Sequence, residues 1–250
     1  MGSGAVMLVV GLGAVAAGGD VFHAFVAILC GAMVWELVRM LAADAPRLAL
    51  QLGVLAAVAS MIAIYLPAPI ALPILLVPAL VGLSQIRSHR LIYLVFVALV
   101  LLAGFGMMSV RDDFGFIWML WLALVVVATD VAGYFAGRML GGPRFWPRVS
   151  PKKTWSGTVA GWLAAALVGL VFALGTGTSV ALVALSAAVA LASQMGDIAE
   201  SAIKRKMDVK DSSSLIPGHG GLLDRFDGML GASVFLLLAA QVVGFPPGLG

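Results

Sequence analysis

The chain has 250 residues, of which 62% are hydrophobic and 11% are charged, and its mean hydropathy is +1.10. Soluble domains are typically about 45–50% apolar, so this composition excludes a soluble globular protein and predicts an integral membrane protein in the lipid bilayer. A net charge of only +3 suggests no nucleic-acid partner, and the single cysteine, Cys30, excludes a disulfide framework or a CxxC metal site.

Apolar segments of about 20 residues, the length that crosses a bilayer as a helix, recur along the whole chain. No polar block between them is large enough to form a separate soluble domain. The pattern predicts an all-α polytopic membrane protein with one transmembrane domain, residues 1–250, and about nine helices. The predicted spans are residues 4–19, 21–43, 48–66, 68–85, 91–109, 115–137, 157–175, 178–203 and 224–243.

The distribution of basic residues predicts how the spans are oriented. If the connections lie alternately on two sides, beginning with the N-terminus, only Arg111 of the 15 lysines and arginines lies on the second side. Basic residues concentrate on the cytoplasmic side of membrane proteins. We therefore expect a multi-pass protein of the inner (cytoplasmic) membrane, with a cytoplasmic N-terminus and an outward C-terminus.

Acidic residues inside spans are the first sign of function, because an ionised group at mid-membrane costs roughly 2.5–3.5 kcal/mol. In the second span, Glu36 precedes Arg39 by three residues, which favours a helical ion pair, and His23 is interpreted as a packing residue. Asp130 lies well inside the sixth span. It could pair with an arginine of another helix or shape a nucleotide pocket.

The long connection before the seventh span contains the lysine loop, residues 150–157, with sequence SPKKTWSG. Lys152 and Lys153 could simply anchor the span, with Trp155 at the membrane interface. Alternatively, Lys152, Lys153 and Thr154 could bind phosphate just ahead of a helix start. The residue types alone favour neither interpretation.

The last two spans carry the densest group of polar residues. On the eighth span, Asp197 and Ser201 follow Gln194 at helical spacing, and Asp224 and Asp227 lie three residues apart at the start of the ninth. Carboxylates from neighbouring helices form an all-oxygen site that suits Mg²⁺. We predict Asp197, Asp224 and Asp227 as the metal ligands.

The connection between these spans is rich in cations and glycine. Backbone amides of the segment PGHGG, residues 217–221, could approach a polyphosphate closely, and the cations would clamp it. Together they indicate phosphoryl or nucleotidyl transfer at a cytoplasmic cavity. The predicted phosphate-binding residues are Ser201, Lys204, Arg205, Lys210, His219 and Arg225, of which Lys204, Arg205 and His219 are also candidate catalytic residues with the three aspartates.

Each part of this group also has a purely structural interpretation. The segment Asp224-Arg225-Phe226-Asp227 could cap a helix with a local ion pair. Lys204 and its basic neighbours could be membrane anchors, and His219 a solvated turn residue. The occurrence of all these features within 27 residues, next to Asp197, favours function.

Residues 201–227 follow the pattern S-x-x-K-R-x(4)-K-D-x(5)-P-x-H-G-G-x-x-D-R-x-D, which resembles the signature of the phosphatidate cytidylyltransferases, or CDP-diacylglycerol synthases. Upstream, residues 130–138 (DVAGYFAGR) and 150–155 (SPKKTW) are similar to segments of that family in the same order. The resemblance covers at least residues 130–227, the predicted catalytic region. One departure is Ser156, where the family commonly has glutamate.

The resemblance implies an enzyme of phospholipid biosynthesis that joins CTP and phosphatidic acid to give CDP-diacylglycerol and pyrophosphate. It also implies a requirement for Mg²⁺, K⁺ as a possible second cofactor, and a homodimer of helical subunits. A secondary transporter is the main alternative, because it too keeps carboxylates at mid-membrane. A second alternative, closer to this family, is a related membrane enzyme that uses CTP on another lipid.

Overall fold

The computed structural model describes residues 2–216, 218 and 220–248, and the described chain is almost entirely helical. The predicted all-α class is confirmed, and every predicted span is helical. The helices are α1 (Gly2–Ala17), α2 (Gly19–Leu41), α3 (Pro46–Ala63), α4 (Ala68–Leu75), α5 (Val77–Gln85), α6 (Arg90–Phe114), α7 (Phe116–Leu140), α8 (Trp155–Thr176), α9 (Ala181–Lys206) and α10 (Leu223–Val243).

Eight helical segments of the described chain are long and apolar enough to cross a membrane, counting α4 and α5 together as one segment. The α4–α5 segment is interrupted at Leu76 because Pro78 has no backbone N–H to continue the helical ladder. The remaining helix, α1, has 16 residues. At 1.5 Å per residue it extends about 24 Å, less than the ~30 Å hydrocarbon core of a bilayer.

The chain divides into two compact units, the first of which contains Met1–Phe116 and Lys206–Phe226. Within it, α2 packs against α3 and α6, and α5 packs against α6. The contact between α2 and α3 is close because glycines face each other: a Cβ placed on Gly31 would lie 2.7 Å from the carbonyl oxygen of Gly53. The buried Tyr93 hydroxyl joins α6 to α5 by donating to the carbonyl oxygen of Pro78 at 2.7 Å.

A polar cluster connects α2, α6 and the end of α3 in the first unit. His23 is buried, and its two ring nitrogens lie 3.1 Å from the Tyr65 hydroxyl and 2.7 Å from Asp112 Oδ2. The Tyr65 hydroxyl donates to Asp20 at 2.6 Å, and this hydrogen bond raises the pKa of Tyr65 to about 12. His23 therefore has polar partners at both nitrogens and is more than the packing residue that its sequence context predicts.

The second unit contains Ile117–Arg205 and Asp227–Gly250. Trp121 on α7 is fully buried and donates to the hydroxyl of Ser186 on α9 at 3.1 Å. Trp162 on α8 donates to the side-chain oxygen of Gln194 on α9 at 2.9 Å. These indole hydrogen bonds fix α9 relative to α7 and α8, which is what positions the polar face of α9.

A short antiparallel hairpin precedes α8, where the sequence predicts an irregular loop. Its strands are β1 (Arg144–Trp146) and β2 (Ser150–Thr154), so the lysines of the lysine loop lie on a strand. Thr154 then caps α8, its side-chain oxygen accepting a hydrogen bond from the backbone N–H of Gly157 at 3.2 Å. The hairpin gives Lys152 and Lys153 defined positions directly before a helix N-terminus.

The α2–α3 contact gives a testable prediction about stability. We expect Gly31→Ala to lower the free energy of unfolding of the detergent-solubilised protein by about 1–3 kcal/mol. The added methyl group would collide with the backbone of α3 at Gly53 and push the two helices apart. Gly11→Ala is the matched control, because a Cβ there meets nothing within 4 Å. Thermal unfolding measurements in detergent compare the two, and equal midpoints would contradict the close contact.

Candidate active site

The second unit contains a cavity of about 420 Å³ that is lined by several of the polar residues predicted from the sequence. It lies among α7, strand β2, the start of α8, and α9. Of the residues predicted from sequence, five line it: Asp130, Lys152, Lys153, Thr154 and Asp197. Its other polar lining residues are Thr129, Tyr134, Arg138, Thr158 and Gln194.

The strongest electrostatic contact in this cavity joins the lysine loop to α9. Lys153 Nζ lies 2.5 Å from Asp197 Oδ2, and both side chains are partly exposed. Ser201, one turn further along α9, donates to Asp197 Oδ1 at 3.2 Å. Asp130 faces the same two residues and interacts electrostatically with both Asp197 and Lys153. The cavity is therefore lined by both acidic and basic groups, which suits a ligand that carries phosphates and a cation.

Asp227 joins this group through a direct backbone contact between α9 and α10. A Cβ on Gly196 would collide with the backbone oxygen of Asp227, and one on Gly231 would collide with the carbonyl oxygen of Ala192. Because both positions are glycine, Asp197 and Asp227 come close on adjacent helices. Asp227 interacts electrostatically with Asp197, Asp130 and Lys204.

The donor chemistry of this cluster fits Mg²⁺. Among the residues that the structure describes, no three histidine, cysteine, aspartate or glutamate side chains are grouped so as to hold a metal by themselves. Mg²⁺ does not need such a cage, because it is usually held by one or two carboxylates together with waters and substrate phosphates. Asp197 and Asp227 provide two carboxylates whose mutual repulsion a divalent cation would relieve.

The other predicted phosphate-binding residues have different surroundings. Lys204 on α9 pairs with Glu200 at 2.5 Å, so its charge is already balanced by a buried carboxylate. Arg205 ends α9 with an exposed side chain, as do Lys210 in the following loop and Arg225 in the first turn of α10. His219 lies outside the described residues.

Asp224, the third predicted metal ligand, belongs to the first unit and organises the loop before α10. Its Oδ2 accepts hydrogen bonds from the backbone N–H groups of Ser212 and Gly221, both at 2.8 Å, and from the Ser212 hydroxyl at 2.9 Å. These donors lie in the loop before α10, so Asp224 fastens that loop to the first turn of the helix. The backbone N–H groups of Leu222 and Leu223, where α10 begins, donate to Glu36 and not to Asp224.

Glu36 anchors the same loop, and the predicted ion pair with Arg39 is wrong. The carboxylate is completely buried, and it accepts from the backbone N–H of Leu222 at 2.9 Å and of Leu223 at 2.7 Å. The hydroxyls of Ser212 and Ser213 add two further donors at 3.3 and 2.6 Å. Backbone donors outcompete Arg39 because they hold both oxygens in place without exposing the carboxylate to water.

Sequence reasoning assigned no ligand-binding role to Arg138, Tyr134 or Gln194, although all three line the cavity. Tyr134 and Arg138 follow Asp130 at spacings of four and eight on α7, so they share its helical face. Arg138 also donates to the Tyr134 hydroxyl at 3.0 Å. Helical spacing from Asp130 is the signal that would have found them.

Comparison with known proteins identifies the family. The model of the cytidylyltransferase family matches residues 1–243, nearly the whole chain. The chain belongs to this family. The region that carries the cavity and the loop thus lies within a cytidylyltransferase domain.

Several curated cytidylyltransferases are similar to this chain. One from Brucella suis, named phosphatidate cytidylyltransferase, is 44% identical over 155 residues, covering 58% of this chain and 56% of the relative. Proteins of the same name from Helicobacter pylori and Bacillus subtilis are 42% and 38% identical over 128 residues, covering 50% of this chain and 48% of each relative. The matches thus span about half the length of these relatives.

The anchoring of the loop by Glu36 can be tested by hydrogen exchange. We expect Glu36→Gln to accelerate exchange at the amides of Leu222 and Leu223, because the new side-chain NH₂ would face donors and leave them unsatisfied. The loss is about 1–3 kcal/mol of local stability, or roughly 5- to 150-fold in exchange rate. Asp44→Asn, a change of the same kind at an exposed turn residue, is the control. Unchanged protection of both amides in Glu36→Gln would contradict the anchor.

Proposed function

We propose that this protein is a phosphatidate cytidylyltransferase, which transfers CMP from CTP to phosphatidic acid and releases pyrophosphate. The observation that carries the proposal is the cavity of the second unit, where Asp130, Asp197 and the lysines of β2 converge in a chain of the cytidylyltransferase family. Relatives named phosphatidate cytidylyltransferase support the choice of lipid substrate.

The proposed reaction needs charge stabilisation more than proton transfer. A phosphate oxygen of the lipid attacks the α-phosphorus of CTP, a new P–O bond forms, and the bond to the bridging oxygen of the β-phosphate breaks. The attacking oxygen is already anionic, so no strong general base is required. Lys152, Lys153 and Arg138 would hold the triphosphate and balance the charge that develops on leaving pyrophosphate.

Magnesium is the proposed cofactor, with Asp197 and Asp227 as its carboxylate ligands. Asp224, three residues before Asp227 on α10, completes the ligand set inferred from the sequence. When bound, the ion would neutralise triphosphate charge near the reacting phosphorus. The predicted phosphate-binding roles of Ser201, Lys204, Arg205, Lys210, His219 and Arg225, and the possible use of K⁺, are parts of the same proposal.

The proposed setting is the cytoplasmic face of the inner membrane, with the protein as a homodimer. The concentration of lysine and arginine on one side supports this orientation. It places the cavity where CTP is available, while the lipid substrate stays within the bilayer.

Purified protein with labelled CTP and phosphatidate tests the activity directly. We expect Mg²⁺-dependent formation of CDP-diacylglycerol and pyrophosphate, with the product identified by mass spectrometry. Asp227→Asn should reduce turnover at least about 100-fold, since it removes a metal-ligand charge. Asp113→Asn, the same kind of change at an exposed residue in the last turn of α6, is the control. A different nucleotide lipid as product would indicate a related CTP enzyme, and solute uptake without pyrophosphate release would indicate a transporter.

The role of Lys153 gives a separate kinetic prediction. Lys153→Gln should raise the KM for CTP about 10-fold or more, because a charge-assisted contact to phosphate is lost, with a smaller change in the KM for the lipid. Lys206→Gln, which removes an exposed cation at the end of α9, serves as the control. Equal effects on both substrates would argue against a nucleotide-binding role for Lys153.

A further inference from the structure

An apolar groove of about 380 Å³ lies in the first unit, on the pair formed by α2 and α3. The bottom of the groove is formed by Gly31 and Gly53, which have no side chains to fill it, and larger side chains form its walls. Ile28, Leu50 and Val54 are 67, 61 and 55% exposed along it. From Ile28 to Trp35 it spans eight residues of α2, a rise of about 10 Å.

One end of the groove is flanked by cations. Arg39 follows Trp35 by one turn on α2, and Arg47 precedes Leu50 by one turn on α3, so both lie near the short turn that joins the two helices. Both side chains are exposed, and among the described residues neither forms an ion pair. Asp44 in the turn offsets part of this charge, which leaves the end of the groove net positive.

We propose that this groove binds an anionic phospholipid of the bilayer, with one acyl chain between α2 and α3 and the phosphate between Arg39 and Arg47. An apolar channel with cations at one end matches the amphipathic structure of such a lipid.

The bound lipid would touch the loop that Glu36 anchors. Leu215 lines the groove, and its backbone N–H donates to the hydroxyl of Ser213 at 3.0 Å. Ser213 in turn donates to Glu36 at 2.6 Å. A lipid in the groove therefore packs against Leu215, which is linked to Glu36 through Ser213, and stabilises the anchored form of the loop by mass action.

Native mass spectrometry of the full chain in detergent tests this site, with phosphatidylglycerol and phosphatidylcholine of identical acyl chains as probes. We expect tighter binding of phosphatidylglycerol. Replacing both arginines, Arg39→Gln with Arg47→Gln, should weaken phosphatidylglycerol binding about tenfold or more and remove the preference. Val54→Trp, or the smaller change Val54→Phe, should weaken binding of both lipids by filling the groove.

Matched controls are Arg87→Gln, an exposed arginine elsewhere in the first unit, and Val95→Trp, at an exposed position of α6. Both should bind like the starting protein. The proposal is overturned if the double arginine variant keeps its preference for phosphatidylglycerol, or if both Val54 variants bind the two lipids normally. Binding is measured without CTP, so the outcome is independent of whether the protein transfers cytidylyl groups.

Discussion

The central constraint on this protein is that a carboxylate within a membrane-spanning helix must be surrounded by donors or cations, since leaving it bare in an apolar medium costs several kcal/mol. The structure meets this constraint in two ways. Glu36 accepts hydrogen bonds from backbone and hydroxyl donors at both oxygens and so holds a loop in place. Asp130 and Asp227 instead interact electrostatically with Asp197 and with one lysine each, Lys153 and Lys204.

Close backbone contacts bring the second group of carboxylates together. Helices that touch through glycine can place short side chains such as aspartate within electrostatic range, whereas larger residues at the contact would hold them apart. The contact of Gly196 and Gly231 does this for α9 and α10. Lys153 reaches the same place from a strand that ends at the cap of α8. The polar site therefore depends on the small residues between its helices as much as on its charges.

Hydropathy alone predicted the helices, because an apolar segment of about 20 residues has to be helical to cross a bilayer. The predicted bounds agree with the observed ones within a few residues. The charged residues inside and between those spans predicted Asp130, Lys153 and Asp197 as candidates, and the structure brings all three to one cavity. The hairpin was missed because three- and five-residue strands have no periodic signal of their own. The partners of Glu36 were missed because donors about 180 residues away in sequence cannot be found from local spacing.

The distance along the chain between Glu36 and its donors bears on how the protein is made. Leu223 is 187 residues downstream, so α2 leaves the ribosome and enters the bilayer long before the loop exists. During this interval the carboxylate of Glu36 lacks the backbone and hydroxyl donors that surround it in the folded protein. The second helix therefore reaches its final packing only once the loop before α10 has been made, which couples the first part of the fold to the last.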